Sequence, residues 1–145
     1  MRLIVQRVSN AQVFVDDKVT GKIDKGFMVL IGITHSDTRE TADYLVKKLC
    51  NLRVFEDENN KMNLSIKDVD GELLIVSQFT LYADCNGGNR PSFVNSAKPD
   101  VANELYEYFV GECRKCIRKV ETGVFGAHMK VELLNDGPVT IALER

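Results

Sequence analysis

The sequence has no long apolar run and no large excess of either charge. Its apolar stretches fall far short of the roughly 18 residues that a membrane-spanning helix needs, and residues 3–5 are too few for the core of a secretory signal. The net charge of −2 argues against a broad phosphate-binding face for DNA, but it leaves room for local contacts with one RNA end. We therefore expect a cytoplasmic protein that binds neither membranes nor DNA.

Histidine and cysteine are scarce, with two and four residues respectively. Neither histidine stands beside a convincing Ser/Asp partner, so a hydrolytic triad built on Ser77 or Thr80 cannot be argued. Cys113 and Cys116 have the CxxC spacing of a zinc or redox site, but no second pair supplies further ligands. Both fall on the apolar stripe of a predicted helix, where cysteine packs as a small hydrophobe. We expect reduced thiols, no metal and no cofactor.

Length and composition are those of one globular domain. The chain has 145 residues, of which 44% are hydrophobic and 28% are charged. A chain of this size buries enough surface to fold without disulfides. No repeat, linker or low-complexity segment divides it, so we expect residues 1–145 to form a single domain.

Apolar patterning predicts more strands than helices. Strands are expected at 2–8, 13–15 paired with 19–23 as a hairpin, 27–33, 53–55, 72–79, 119–122, 129–134 and 139–144. Helices are expected from Asp37-Thr38 and from Lys98-Pro99-Asp100, with stripes at Ala42, Leu45, Val46, Leu49, Cys50 and at Leu105, Phe109, Cys113, Cys116, Val120. The expected fold class is mixed α and β. We expect a curled, largely antiparallel or mixed sheet, barrel- or sandwich-like in β/β/α layers, with two helices packed on one side.

One predicted strand changes character at its end. Leu73-Leu74-Ile75-Val76 is continuously apolar, which indicates a strand covered on both faces near the middle of a sheet. Ser77-Gln78-Phe79-Thr80 follows at once and brings hydrogen-bonding side chains. If the strand continues, Ser77 and Phe79 share one face and Gln78 and Thr80 the other. This abrupt change points to a functional site.

Two further positions are unusual for strands. Arg7 shares a face with the apolar Leu3 and Val5, so its guanidinium either reaches water at a strand end or pins backbone carbonyls or a ligand carboxylate. Asp136-Gly137-Pro138 lies between apolar runs, and the Asp-Gly pair favours a hairpin turn. Pro138 argues against it, because proline cannot donate to the ladder where the strand should restart.

Taken together, these stretches resemble the D-aminoacyl-tRNA deacylases, formerly called D-tyrosyl-tRNA deacylases, from end to end. The motifs, in the family's order, are Gln6-Arg7-Val8, Ser77-Gln78-Phe79-Thr80-Leu81, Gly88-Asn89-Arg90-Pro91-Ser92-Phe93, Thr122-Gly123-Val124-Phe125-Gly126-Ala127-His128-Met129 and Asn135-Asp136-Gly137-Pro138-Val139-Thr140. One departure is Asn86-Gly87, where the family commonly carries a basic residue. It leaves open how strongly this loop holds tRNA phosphates.

The resemblance implies hydrolysis of the ester bond of D-aminoacyl-tRNA by a homodimer with active sites at its interface. It implies a cis bond between Gly137 and Pro138, which enter the partner's site as a backbone wall against L-amino acids, with Arg7 holding their loop. A wall against side chains does not exclude glycine, so we also expect glycyl-tRNA to be hydrolysed. The residues implied to contact the aminoacylated 3′ end of tRNA are Ser77, Gln78, Phe79, Thr80, Phe125, Met129 and Arg90.

Two mechanisms fit the resemblance. In one, water attacks the ester with help from the substrate's ribose 2′-hydroxyl, while the main-chain N–H groups of Phe79 and Thr80 stabilise the oxyanion. In the other, Thr80 is a covalent nucleophile. Outside this activity, the alternatives are a non-catalytic module that binds RNA ends and a Thr80-dependent hydrolase of small esters.

Overall fold

The computed structural model describes residues 1–145 as eight strands, two α-helices and a short 3₁₀ helix. The strands are β1 (Arg2–Val15), β2 (Lys18–Ile23), β3 (Gly26–Gly32), β4 (Phe55–Glu56), β5 (Met62–Leu64), β6 (Glu72–Ser77), β7 (Val120–Thr122) and β8 (Lys130–Glu144). The helices are α1 (Arg39–Cys50), the 3₁₀ helix (Phe79–Tyr82) and α2 (Pro99–Cys116). No helix combines the length and the apolar character that crossing a lipid bilayer requires.

Six strands form one mixed sheet that nearly closes into a barrel. The order is β2-β1-β3-β6-β7, and β8 pairs with β1. β1 is antiparallel to β2, β3 and β8, whereas β6 is parallel to both β3 and β7. β2 comes so close to β7 that a Cβ added at Gly21 would lie 2.6 Å from the carbonyl oxygen of Thr122. The predicted mixed, curled sheet with two helices is confirmed.

The two faces of the sheet bury two separate clusters. The larger lies between the sheet and the two helices, and it includes Leu3, Val5, Phe27 and Ile75. The smaller cluster, on the other face, comprises Val8, Ala11, Val13, Ile23, Met28, Leu74 and Val76, with Met129, Val131 and Leu133 packed against it. The uninterrupted apolar runs of β3 and β6 follow from this double covering, because both of their faces are buried.

The helices form where caps and apolar stripes coincide. Thr38 caps α1 through a reciprocal capping box with Thr41, and Pro99 stands in the first turn of α2, where its missing N–H costs nothing. The stripes of both helices are buried as predicted, with two exceptions. Cys116 is exposed, and Val120 lies beyond the end of α2, in β7.

The predicted hairpin turn at Asp136-Gly137-Pro138 is wrong. Residues 130–144 form one strand, and both of its halves pair with β1, which is itself one strand rather than two. Gln6 pairs with Thr140 and Val8 with Asn135, so residues 136–139 bulge out opposite the single residue Arg7. β8 pairs with β1 both before and after this bulge, and that pairing outweighs the local tendency of Asp-Gly to form a turn.

Candidate functional site

A cavity of about 440 Å³ opens where β3 and β6 end. These strands are parallel and adjacent, so their carboxyl ends meet at the same edge of the sheet, beside the first turn of α2. The wall is mainly apolar and is formed by Ile31, Ile33, Ser77, Gln78, Phe79, Phe93, Ser96, Ala97, Lys98, Pro99, Ala102, Phe125 and Gly126. Four of the residues predicted to contact substrate, Ser77, Gln78, Phe79 and Phe125, therefore lie around one cavity.

β6 stops at Ser77, two residues earlier than predicted, and the chain then forms the 3₁₀ helix. The Gln78 N–H still donates to the carbonyl of Ile31 over 2.8 Å, which fixes the helix to the end of β3. The alternation expected from Ser77 to Thr80 is therefore wrong beyond Ser77. No side chain caps the helix, and the N–H groups of Phe79 and Thr80 donate to no acceptor in the chain.

Aromatic rings frame the mouth of the cavity. Phe79 and Phe93 meet edge to face with ring centroids 5.0 Å apart, and Phe79 is 58% exposed. The Ser96 hydroxyl donates to the carbonyl of Phe79 over 2.9 Å, which ties the two walls together. Phe125 packs against Tyr106 with ring centroids 5.9 Å apart. Half-exposed rings of this kind offer flat surfaces for a planar ligand.

The cavity wall contains one charged side chain and no carboxylate or imidazole. Lys98 is the charged residue, and the other polar side chains are Ser77, Gln78 and Ser96. Burial raises the pKa of Tyr106, which packs behind Phe125 and donates its hydroxyl hydrogen to the carbonyl of Ile75 over 2.9 Å. Tyr106 therefore stays protonated and serves as a structural donor.

Three of the predicted contact residues lie outside the cavity wall. The side chain of Thr80 is exposed, and its hydroxyl accepts a hydrogen bond from the amide of Gln78. Met129 packs beside Gly123, against the smaller apolar cluster. Arg90 is exposed in the loop after Asp84, where it forms neither a hydrogen bond nor an ion pair.

Arg7 is buried and holds the bulge of β8. It is 5% exposed, and its Nε donates to the carbonyl of Asp136 over 3.0 Å while Nη1 donates to the carbonyl of Val54 over 2.6 Å. Of the two arrangements considered for this arginine, the structure has the one that pins backbone carbonyls. Carboxylates of Glu56 and Asp136 lie 3.7 Å from the guanidinium.

Gly137 and Pro138 are exposed at the tip of this bulge and are joined by a cis peptide bond. Gly137 has φ +129°, a conformation that other residues rarely adopt. A Cβ at this position would lie 2.9 Å from the backbone nitrogen of Val139 and 3.2 Å from Nη2 of Arg7. Neither Gly137 nor Pro138 lines the cavity of its own chain.

Sequence reasoning missed the residues that α2 and the segment before it bring to the cavity, namely Phe93, Ser96, Ala97, Lys98, Pro99 and Ala102. It also missed Ile31 and Ile33 at the end of β3. The second group could have been found from the sequence. If the two strands predicted to be covered on both faces are parallel neighbours, their carboxyl ends lie side by side. The first group depends on contacts distant in sequence.

Comparison with known proteins gives a consistent result. Residues 4–144 match the family model described as D-Tyr-tRNA(Tyr) deacylase. A D-aminoacyl-tRNA deacylase of Thermosipho africanus (strain TCF52B) is 58% identical over 99% of this chain and 97% of its own. One of Clostridioides difficile (strain 630) is 57% identical with the same coverage.

Two solved structures share the fold. A c-Myc DNA unwinding element binding protein superimposes with a TM-score of 0.95 at 42% identity, over 100% of this chain and 99% of its own. A probable eukaryotic D-amino acid tRNA deacylase superimposes with a TM-score of 0.86 over 98% and 97% of the two chains. Since its identity is 20%, the second supports the fold alone.

Proposed function

The chain belongs to the D-Tyr-tRNA(Tyr) deacylase family and is a hydrolase, and we propose that it cleaves the ester bond of D-aminoacyl-tRNA in the cytoplasm. The products are free tRNA and the D-amino acid. The observation that carries this proposal is the cavity at the ends of β3 and β6, which lies beside two unpaired main-chain N–H groups at Phe79 and Thr80. An ester carbonyl whose oxygen becomes negative during attack needs such donors.

The tRNA end is held through stacking and one local charge. Bases stack on exposed aromatic rings with little regard to sequence, and Phe79 and Phe93 supply two such rings at the cavity mouth. The apolar interior, which includes Phe125, takes the amino-acid side chain. Arg90, free of partners in the neighbouring loop, contacts a phosphate. Ser77 and Gln78 offer hydrogen bonds to the ribose, and Met129 supports the loop that carries Phe125.

Chirality is enforced by backbone supplied from a second copy of the chain. A pocket that merely attracts the D side chain discriminates weakly, because both enantiomers carry the same groups. Rigid main chain placed where an L side chain must go rejects it far more strongly. Gly137 and Pro138 suit this role since they are exposed, are positioned by Arg7 and stand apart from their own cavity. We therefore infer a homodimer in which each protomer's bulge completes the partner's site.

The ribose 2′-hydroxyl of the substrate assists the attack of water on the ester. Lys98 is the only titratable side chain in the cavity wall, so no carboxylate or imidazole there can act as a general base. The hydroxyl of Thr80 accepts a hydrogen bond from the amide nitrogen of Gln78, and this amide cannot act as a base for the hydroxyl proton. Thr80 is thus poorly placed as a nucleophile, whereas its N–H and that of Phe79 remain available for the oxyanion.

The proposal is tested with the purified protein and three substrates, D-tyrosyl-tRNA, L-tyrosyl-tRNA and glycyl-tRNA. We expect rapid release of D-tyrosine and of glycine and no release of L-tyrosine above the uncatalysed rate, because only the L side chain meets the wall. Binding of charged tRNA without release would instead support a non-catalytic module. Cleavage of D-tyrosyl-tRNA with glycyl-tRNA left intact would contradict a wall that acts by exclusion alone.

Replacing Thr80 with alanine separates the two mechanisms. The main-chain N–H remains in this variant, so we expect kcat for D-tyrosyl-tRNA to stay within about threefold of the unmodified protein. Thr20→Ala, which changes an exposed threonine of β2, serves as a matched control. A loss of about a thousandfold with binding retained would restore Thr80 as the nucleophile. Activity on small esters that lack the ribose hydroxyl would then also be expected.

A further inference from the structure

Three cysteines that the proposed reaction does not use meet at one end of the helical layer. Cys50 is the last residue of α1, and Cys113 and Cys116 lie in the last turn of α2, which packs beside α1. Cys50 and Cys116 line the same cleft between the two helices, and the thiols of Cys113 and Cys116 both influence the pKa of Cys50. Cysteines from both helices thus meet at this end of the layer.

The three cysteines differ in their exposure to solvent. Cys50 and Cys116 both line a surface cleft of about 440 Å³ between the helices, whereas Cys113 is fully buried behind them. Cys116 is exposed at this cleft. Cys50 is nearly buried, so that only a molecule small enough to enter the cleft can reach its sulfur. The cleft shares no residue with the cavity at the ends of β3 and β6.

The groups around Cys50 lower the pKa of its thiol. The hydrogen bond from the Cys113 thiol lowers the pKa of Cys50, and the positive charge of Lys67 acts in the same direction, whereas burial opposes them. The Lys67 ammonium donates to Asn51 over 2.7 Å, next to Cys50 in the chain. Lys47, Lys115, Asp43 and Glu112 also line the cleft, and Lys115 is paired with Glu112. A thiolate, and not a thiol, is the form that attacks oxidants.

We propose that Cys50 and Cys116 form a peroxide-sensitive dithiol that closes to a disulfide between the ends of α1 and α2. The Cys50 thiolate attacks one oxygen of a small hydroperoxide such as hydrogen peroxide. The O–O bond breaks, which leaves a sulfenic acid on Cys50, and the departing hydroxide takes a proton to become water. The Cys116 sulfur then attacks the Cys50 sulfur, the S–O bond breaks, and the second hydroxide leaves with the Cys116 proton as water.

A disulfide accounts for this cluster better than a metal site does. No group of three or more His, Cys, Asp or Glu side chains is placed to hold a metal ion. Disulfide formation needs only two sulfurs, and it removes two hydrogen atoms while the peroxide is reduced to water. The buried Cys113 stays outside the bond and acts by hydrogen bonding to Cys50.

The test is peroxide oxidation followed by alkylation of the remaining thiols and peptide mapping. Cys85, an exposed thiol in a distant loop, is an internal reference. We expect a reversible link between Cys50 and Cys116 that forms at least about tenfold faster than Cys85 is modified, and that a dithiol reductant opens. A Cys85→Ser variant should give the same link with a mass loss of about 2 Da.

Cys116→Ser removes the second sulfur at an exposed position, where the fold is little affected. In this variant we expect rapid oxidation to stop at a sulfenic acid on Cys50, which a dimedone-type probe captures. The proposal is overturned if the three helical thiols react no faster than Cys85. It is equally overturned if the link joins Cys113 to Cys116, or if Cys116→Ser forms a disulfide as fast as the unmodified protein.

Discussion

Replacing Ala102 with phenylalanine should lower kcat/KM for D-tyrosyl-tRNA by about 100-fold or more, which corresponds to roughly 3 kcal/mol of transition-state stabilisation. Ala102 lies in the first turns of α2 and faces the cavity beside Phe93 and Lys98. A ring attached there occupies space in the cavity that we assign to the D-amino acid, next to the N–H groups of Phe79 and Thr80. The measurement is deacylation under single-turnover conditions, with the melting temperature recorded for each variant.

Val101→Phe is the matched control for this prediction. Val101 precedes Ala102 in the same helix, is 49% exposed and does not line the cavity. An added ring at this position leaves the cavity open, so turnover should stay within about threefold of the unmodified protein. If Ala102→Phe remained fully active while folded, the active site would have to lie elsewhere in the molecule.

Arg7→Met is expected to reduce both stability and stereoselectivity. The methionine fills the volume of the arginine stem, but it removes the donors that the carbonyls of Asp136 and Val54 use. Charge-assisted hydrogen bonds contribute strongly, and buried acceptors left unpaired are costly, so the free energy of unfolding should fall by about 2–4 kcal/mol. The ratio of D- to L-tyrosyl-tRNA cleavage should fall at least about tenfold, because the bulge with Gly137 is no longer held.

Urea unfolding and paired D/L deacylation assays measure the two effects separately. Arg53→Met is the control, since Arg53 also donates to a backbone carbonyl, that of Asn63 over 2.7 Å, but at an exposed position. We expect this control to change neither quantity appreciably. If Arg7→Met lost stability but kept its D/L ratio, Arg7 would be a structural residue and would have no positioning role in stereoselectivity.

The parts of the fold that depend on local patterning could be predicted from the sequence. Leu3, Val5 and Arg7 share the helix-covered face of β1, as the alternation of a strand requires. The stripe of α1 from Ala42 to Cys50 is buried throughout, because a period of 3.6 residues places it on one face. In both cases neighbours in the sequence determine which way each side chain points.

The parts that depend on distant pairing could not be predicted in this way. Asp136-Gly137 has the local chemistry of a turn, yet β8 continues because β1 offers partners on both sides of the bulge. Phe79 was expected to extend β6, but it begins a 3₁₀ helix once Gln78 has bonded to the end of β3. Ala102 reaches the cavity only because α2 starts at the edge of the sheet. Each outcome is decided by contacts between residues far apart in the chain.

The pairing of β1 with β8 also has a consequence for biosynthesis. These strands lie at opposite ends of the sequence, and the ion pair between Arg2 and Glu144 spans 142 positions. Contacts of such long range form late, because a large loop must close before they can stabilise the chain. On the ribosome, β1 can pair early with β2 and β3, but its edge facing β8 stays unpaired until β8 has emerged. The bulge with Gly137 and Pro138, to which we assign stereochemical exclusion, is thus among the last parts of the fold to form.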